Sequence, residues 1–338
     1  MREDTKLHAF FRQEKLNVFS MKRLFKTLID ALVYGVFMLI GAIVRRLSIE
    51  RVYRLGEVVG NWLYERVKLR RKLVETNLRL CFPEKSEAER SKIARQVYIE
   101  QAQSLFEIMR APLIRSKADA ERMFEVENFH LVEKCYAEGK GAIVVSAHFG
   151  NWELKAMCWA FLAKPCAIVY KPFSNKFLDK KMLEWRTLGG NEFISMSDAP
   201  KLGLKRLREG KLLALLSDQA AHSDDYFTTF LGRDAAIFLG AAVFALRTKL
   251  PVILSMPRRI GVGRHRLELT EIKTDDLTFS ADNVKVLAER YTRAIESYIR
   301  RYPDQWFWLH NRWKRTPPHK ASPQLAEEAT QSAQTQSA

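Results

Sequence analysis

"GAIVVSAHFGNWELKAM", residues 141–157, changes character in its middle. Ala142–Ala147 is an apolar run of strand length. Gly150 then permits a sharp turn, and Asn151 is a good N-cap for a helix opening on "WELKAM". Glu153 falls in the first turn of that helix, where the dipole favours an anion. A strand turning into a helix is half of the repeating unit of a parallel sheet, and ligands gather at the carboxyl ends of such strands. His148 stands at that end.

The pattern continues on both sides. Downstream, "CAIVY" (166–170), "EFIS" (192–195), "LLALLS" (212–217) and "VILSM" (252–256) read as strands. "RLELTE" (266–271) alternates as an edge strand does. Helices are expected near 151–162, 176–188, 198–209 and 234–248, with a long one at 283–301. Alternating strands and helices predict an α/β fold with a mostly parallel sheet flanked by helices. Upstream, residues 48–138 read as helical. "SEAERSKIARQVYIEQAQSLFEIMR" (86–110) has a helical apolar period and a capped start at Ser86. The polar, Pro/Ala/Gln/Ser-rich stretch 316–338 is expected to be a disordered tail.

Five positions apart on one helix, His148 and Glu153 would not face each other. With a turn between them, the helix can bring the carboxylate back to the imidazole. A carboxylate on one ring nitrogen fixes the tautomer and makes the other a base suited to an alcohol proton. From these residues alone the alternative stands level: Glu153 a dipole partner and His148 a satisfied turn residue. Other schemes lack their residues. The chain has no GxSxG, HExxH, GxxxxGK[ST] or Gly-rich dinucleotide fingerprint. With no nucleophile in place, a substrate hydroxyl activated by His148 is the simplest attack.

Lys and Arg outnumber Asp and Glu 56 to 39 in 338 residues, a formal charge of +17. Such a surplus favours acidic partners. Neither an RNP-like nor a zinc-finger pattern appears, which argues against a nucleic-acid binder. The four cysteines form no CxxC pair and no metal-like cluster, so they read as free thiols and no metal site is expected. Arg66, Lys68, Arg70, Arg71 and Lys72 form one basic cluster, simplest as a solvated helix face. Residues 21–46 hold the uncharged run Ala31–Val44, shorter than the roughly 20 apolar residues of a full span. Length alone leaves a membrane anchor and a buried core helix open. Met21-Lys-Arg begins a plausible N-terminus, so residues 1–20 read as an optional extension.

"HFGNWE" closely resembles the signature of the bacterial lauroyl/myristoyl transferases of lipid A biosynthesis. "YKPFSNKFLDKKMLEWRTLGG" (170–190), "LREGKLLALLSDQ" (207–219), "FLGRDAAIFLGAAVFALRTKLPVI" (230–253) and "PDQWFWLHNRWKRTP" (303–317) are similar to further segments of that family, as is "NLRLCFPEKSEAER" (77–90). The resemblance implies a glycerophosphate-acyltransferase-like α/β domain over 47–315, behind a membrane-anchor helix at 21–46, on the cytoplasmic face of the bacterial inner membrane. It implies His148 as base and Glu153 as its partner. Arg186 and Asp218 are second-rank site residues, and Asn151 sits in the substrate-binding turn. The implied donor is an acyl thioester on acyl carrier protein, and the acceptor a hydroxyl on a lipid A precursor. Another glycolipid or a lysophospholipid is the alternative acceptor. A thioester is already activated, so no cofactor is expected. Oxyanion donors would be backbone N–H groups near Asn151, or Arg186. Anionic membrane, phosphorylated glycolipid and acyl carrier protein would each suit the basic surplus. Trp306, Trp308 and Trp313 suit core packing better than a membrane-interface belt.

Overall fold

The computed structural model describes residues 2–220 and 226–315, with side chains from residue 23 onward. The expected disordered tail at 316–338 lies outside the described residues. The chain opens on α1 (Arg2–Val44), α2 (Ile49–Trp62), α3 (Arg71–Cys81) and α4 (Glu87–Met109). Ser86 caps α4 through a reciprocal box with Glu89, Glu89 N to Ser86 Oγ at 3.3 Å and Ser86 N to Glu89 Oε2 at 2.8 Å. Then come α5 (Lys117–Met123), β1 (Phe124–Glu127), α6 (His130–Ala137), β2 (Ala142–Ser146), α7 (Trp152–Leu162), β3 (Ala167–Tyr170) and α8 (Lys176–Arg186). They are followed by β4 (Glu192–Ser195), α9 (Ala199–Arg208), β5 (Leu212–Leu216), β6 (Phe227–Phe230), β7 (Arg233–Ala236), α10 (Gly240–Thr248), β8 (Val252–Gly261), β9 (Arg264–Ile272) and α11 (Ala281–Arg301).

Seven strands form one sheet in the order β1-β9-β8-β2-β5-β3-β4. Every neighbouring pair is parallel except β8 and β9. This is the flanked, mostly parallel α/β sheet that the sequence predicts. One face packs on α3, α9, α10 and α11, through residues such as Ile143, Leu213, Leu215 and Phe244. The other carries α5, α6 and α7 on Val144, Leu212 and Ile253, and α8 joins α7 through Met157, Met182 and Trp185. Trp306, Trp308 and Trp313 are buried in the first of these clusters, so packing describes them.

Two expectations change, and a choice that length alone leaves open is narrowed. β9 is not an edge, because β1, only four residues long and inside the stretch read as helical, adds a parallel partner outside it. The stretch 234–248 does not begin as helix: Arg233–Ala236 pairs with Phe227–Phe230 in a hairpin, and α10 starts at Gly240. The hairpin turns at Leu231 and Gly232, both with positive φ, and glycine relieves half of that strain. The apolar segment of α1 is not a core helix. Arg23–Val44 has mean hydropathy 2.2, enough to cross a membrane by length and composition, and only 11% of its apolar window is buried. It touches the body along one side, where Phe37 meets Trp185 at 5.8 Å between ring centroids and Asn175 Nδ2 donates to Asp30 O at 2.8 Å.

Candidate active site

Gly150 makes the turn after β2 possible. Its φ is +52°, and a Cβ there would lie 2.3 Å from Pro257 O. The turn is stapled to the Trp-rich C-terminal segment. Gly150 N donates to Gln305 O at 2.8 Å, and Phe307 N donates to His148 O at 3.0 Å. Asn151 caps α7 by accepting from Leu154 N at 3.0 Å. It spends its amide hydrogens on Ser104 O (3.2 Å) and Glu107 Oε2 (2.8 Å). All these bonds are to protein and fix the turn, and Asn151 at the same time forms part of the wall of the cavity that His148 lines. Glu107 is 0% exposed and also meets Arg259 at 2.8 Å and His265 at 3.0 Å. Burial alone would raise its pKa, but Arg259 and His265 outweigh that and keep it ionised.

The carboxylate on the His148 ring is not Glu153. It is Asp218, two residues past the end of β5. β5 lies beside β2, and Ser217 N donating to Ser146 O at 2.9 Å carries the pairing past the strand ends. Asp218 Oδ1 accepts from His148 Nδ1 at 2.8 Å, and Oδ2 accepts from His148 N at 2.9 Å and Trp306 Nε1 at 2.8 Å. Burial on its own would raise the Asp218 carboxyl. The adjacent His148 ring, with the hydrogen bonds from His148 and Trp306, outweighs it and holds the pKa below the ordinary Asp value. Asp218 therefore stays an acceptor, Nδ1 carries the ring proton, and Nε2 is the basic nitrogen. Trp306 as the second donor to Asp218 gave no sign in the sequence beyond its aromatic bulk.

Glu153 turns the other way. Its carboxylate is held by Arg186 in a bidentate pair, Nε to Oε2 at 2.8 Å and Nη2 to Oε1 at 2.5 Å. Arg186 also lies over Tyr170, Phe173 and Phe193, 5.3 to 5.8 Å from their ring centroids. A buried guanidinium needs such a counter-charge, and α7 and α8 place the two side by side. Arg186 Nη1 remains buried with no protein partner. Of the predicted residues, the structure pairs His148 with Asp218 and Glu153 with Arg186, and places Asn151 in the turn between them, on the cavity wall.

His148, Glu153 and Arg186 line a cavity of about 1020 Å³ whose other walls are mainly apolar, among them Val144, Trp159, Ala214 and Phe244. Two polar groups on this wall gave no signal in the sequence. Lys155 is buried, donating to Ser146 Oγ at 2.7 Å and Ser255 O at 3.3 Å, and burial lowers its amine to about 8. His310 is lowered to about 4, by burial first and then by His148, and so stays neutral. Among the described residues no group of three His, Cys, Asp or Glu side chains could hold a metal ion. The arrangement can take a proton from a hydroxyl at Nε2 beside a long hydrocarbon chain.

The chain is similar to the lipid A biosynthesis lauroyltransferase of Escherichia coli K12, 29% identical over 79% of this chain and 86% of the relative. It is also similar to that organism's lipid A biosynthesis myristoyltransferase, 25% identical over 80% and 82%. A Haemophilus influenzae lipid A biosynthesis acyltransferase is 24% identical over 76% and 79%. Residues 21–315 match the profile of the bacterial lipid A biosynthesis acyltransferases, and the chain belongs to that family.

Proposed function

We propose that this chain moves a fatty acyl group from an acyl carrier protein thioester to a hydroxyl of a lipid A precursor, with His148 as general base. The observation that carries the reading is the His148–Asp218 pair at 2.8 Å on the wall of an apolar cavity of about 1020 Å³. Nε2 takes the hydroxyl proton as that oxygen attacks the thioester carbonyl. The C–O bond forms, the carbonyl π electrons move onto oxygen, and Asp218 stabilises the imidazolium. The tetrahedral intermediate collapses, the C–S bond breaks, and the imidazolium returns its proton to the leaving thiolate. Arg186 Nη1, buried and unpartnered, is a charge-assisted donor for the developing oxyanion or for a substrate phosphate. Glu153 serves by fixing Arg186.

The apolar helix Arg23–Val44 supports a seat at a membrane; the bacterial inner membrane, with the catalytic domain on its cytoplasmic face, is the seat that this function proposes. The test is mass spectrometry of lipid A from cells lacking the gene, complemented with wild-type protein or with His148→Ala. Loss of one secondary acyl chain, restored only by wild type, is expected. The purified variant should lose on the order of 10²–10⁴-fold in turnover while staying folded. Unchanged lipid A in the null strain, or near-normal turnover in the variant, overturns the reading.

A further inference from the structure

The cavity is not one tube. Val144, Leu212, Ala214 and Trp159 line it from the sheet face under α7, and Met182 from α8. Leu215, Leu204, Val243 and Phe244 line it from the opposite face, under α9 and α10. A passage joins the two faces because the sheet splits at its carboxyl edge. β3 and β5 pair only through Ala167–Leu213 and Ile168–Ala214. Beyond that point Val169 and Tyr170 continue with β4, while Leu215 and Leu216 continue with β2. All four of these splayed residues line the cavity, as does His148. From Leu216 down to Leu212 the first lobe follows β5 for roughly 13 Å. The whole volume, about 1020 Å³, is at the top of the range for a pocket that holds a single small ligand.

The two lobes open toward different surroundings. The α7/α8 lobe reaches Phe37 of the apolar α1 and is rimmed by Leu105 and Phe173, which are 44% and 45% exposed, with one exposed cation, Lys171, among them. On the other face of the sheet the opening carries the exposed Lys314 of the C-terminal segment. Arg70 donates to Leu309 O at 3.0 Å and so brings the exposed basic turn with Arg66 and Lys68 beside that segment. An apolar rim continuous with a membrane-length helix suits a chain arriving from lipid. A basic rim suits a chain arriving on an acidic soluble carrier.

We infer that the two lobes hold two hydrocarbon chains at once, meeting at His148: the α7/α8 lobe takes a chain of the acceptor lipid, and the α9/α10 lobe takes the acyl chain of the thioester donor. This rests on the acyl transfer proposed above. It assigns chain-length selection for the donor to the α9/α10 lobe alone.

The test is a size scan in both lobes of the full-length protein, with a ladder of saturated acyl-carrier-protein thioesters competing for one lipid A precursor. Val243→Phe narrows the donor lobe and should move the preferred donor to shorter chains, by roughly tenfold per methylene of overhang, with acceptor KM unchanged. Ala214→Phe narrows the acceptor lobe and should raise acceptor KM with the donor profile unchanged. Leu204→Phe and Ala156→Leu give the same two readouts should either first variant fail to fold. A shift of the donor profile by both variants, by neither, or by the α7/α8 variants alone overturns the assignment. Wild type with no transfer to any acceptor overturns the acyltransferase reading instead, so the two failures are distinguishable.

Discussion

His148 and Glu153 lie five residues apart in the chain and are both on the cavity wall, yet they sit in opposite kinds of ion pair. His148 meets a carboxylate with one ring nitrogen and keeps the other for a ligand. Glu153 spends both carboxylate oxygens on Arg186, and the pair is closed. An open pair can move a proton. A closed bidentate pair cannot do so without first breaking, and its work is to hold a guanidinium whose third nitrogen is still free. The two pairs should therefore fail differently when one partner is removed.

Asp218→Asn is the largest test of that contrast. An Asn amide would either present N–H to the ring, so that Nδ1 could not keep both its proton and its partner, or present N–H to the His148 and Trp306 donors and set donor against donor there. Turnover should fall on the order of 10³–10⁴-fold from the wrong tautomer, with the cavity intact. Steady-state kinetics beside the melting curve decide it. A variant that loses stability but keeps turnover would make Asp218 structural and collapse the distinction between the pairs.

Glu153→Ala should break in the reverse sense. It strands Arg186, 4% exposed, without its counter-charge. Leaving such a charge unpaired costs about 3–5 kcal/mol, to be read as a lower denaturation midpoint. Adding Arg186→Met to Glu153→Ala should restore most of the stability, because the orphaned charge is gone, but not the turnover. If the double variant regains activity, Arg186 makes no contact that matters to the reaction. If Glu153→Ala stays stable and loses activity as Asp218→Asn does, Glu153 acts on His148 after all.

Why the sequence points to the wrong carboxylate is a matter of distance along the chain. Glu153 is local to His148, and its place in the first turn of a helix is readable from Gly150 and Asn151. Asp218 is 70 residues away, and it reaches the ring only because β5 lies beside β2. The strands themselves show as apolar runs. Their order does not, since parallel neighbours are set by crossovers through α7, α8 and α9 rather than by any local pattern. The same reason hides β1: four residues, "FEVE", carry too little pattern to compete with the helical reading around them, and β9 then passes for an edge. Glu107 and Lys155 are hidden differently. A charged residue reads as solvent-facing, and only the partners Arg259, His265 and Ser146, all brought in by the fold, make their burial tolerable.

Lys155 offers a smaller measurement between the two pairs, being a buried charge with hydrogen bonds but no carboxylate. Burial lowers its pKa from the ordinary 10.5 to about 8. Between those values the unfolded chain binds a proton that the folded chain does not, so this group makes stability rise with pH across the window. Wild type should gain on Lys155→Met as pH goes from about 8 toward 10.5. Parallel melting-temperature curves for the two proteins would mean that the amine is not desolvated, and that the cavity wall there is wet.

The smallest effect is expected farthest from both pairs. The contacts that tie α1 to the body involve Asp30, Tyr34 and Phe37, and the family match begins at residue 21. Every side chain of the His148–Asp218 and Glu153–Arg186 pairs, and every group that braces them, lies beyond residue 50. Starting the protein at Met21 should leave turnover and membrane partition unchanged and stability within about 0.5 kcal/mol. Floating the truncated protein on vesicles and assaying it there separates two outcomes. Loss of partition alone would place part of the anchor before Met21. Loss of turnover in protein that still binds would mean that residues 1–20 reach a site that nothing in the packing of α1 from Asp30 onward requires them to touch.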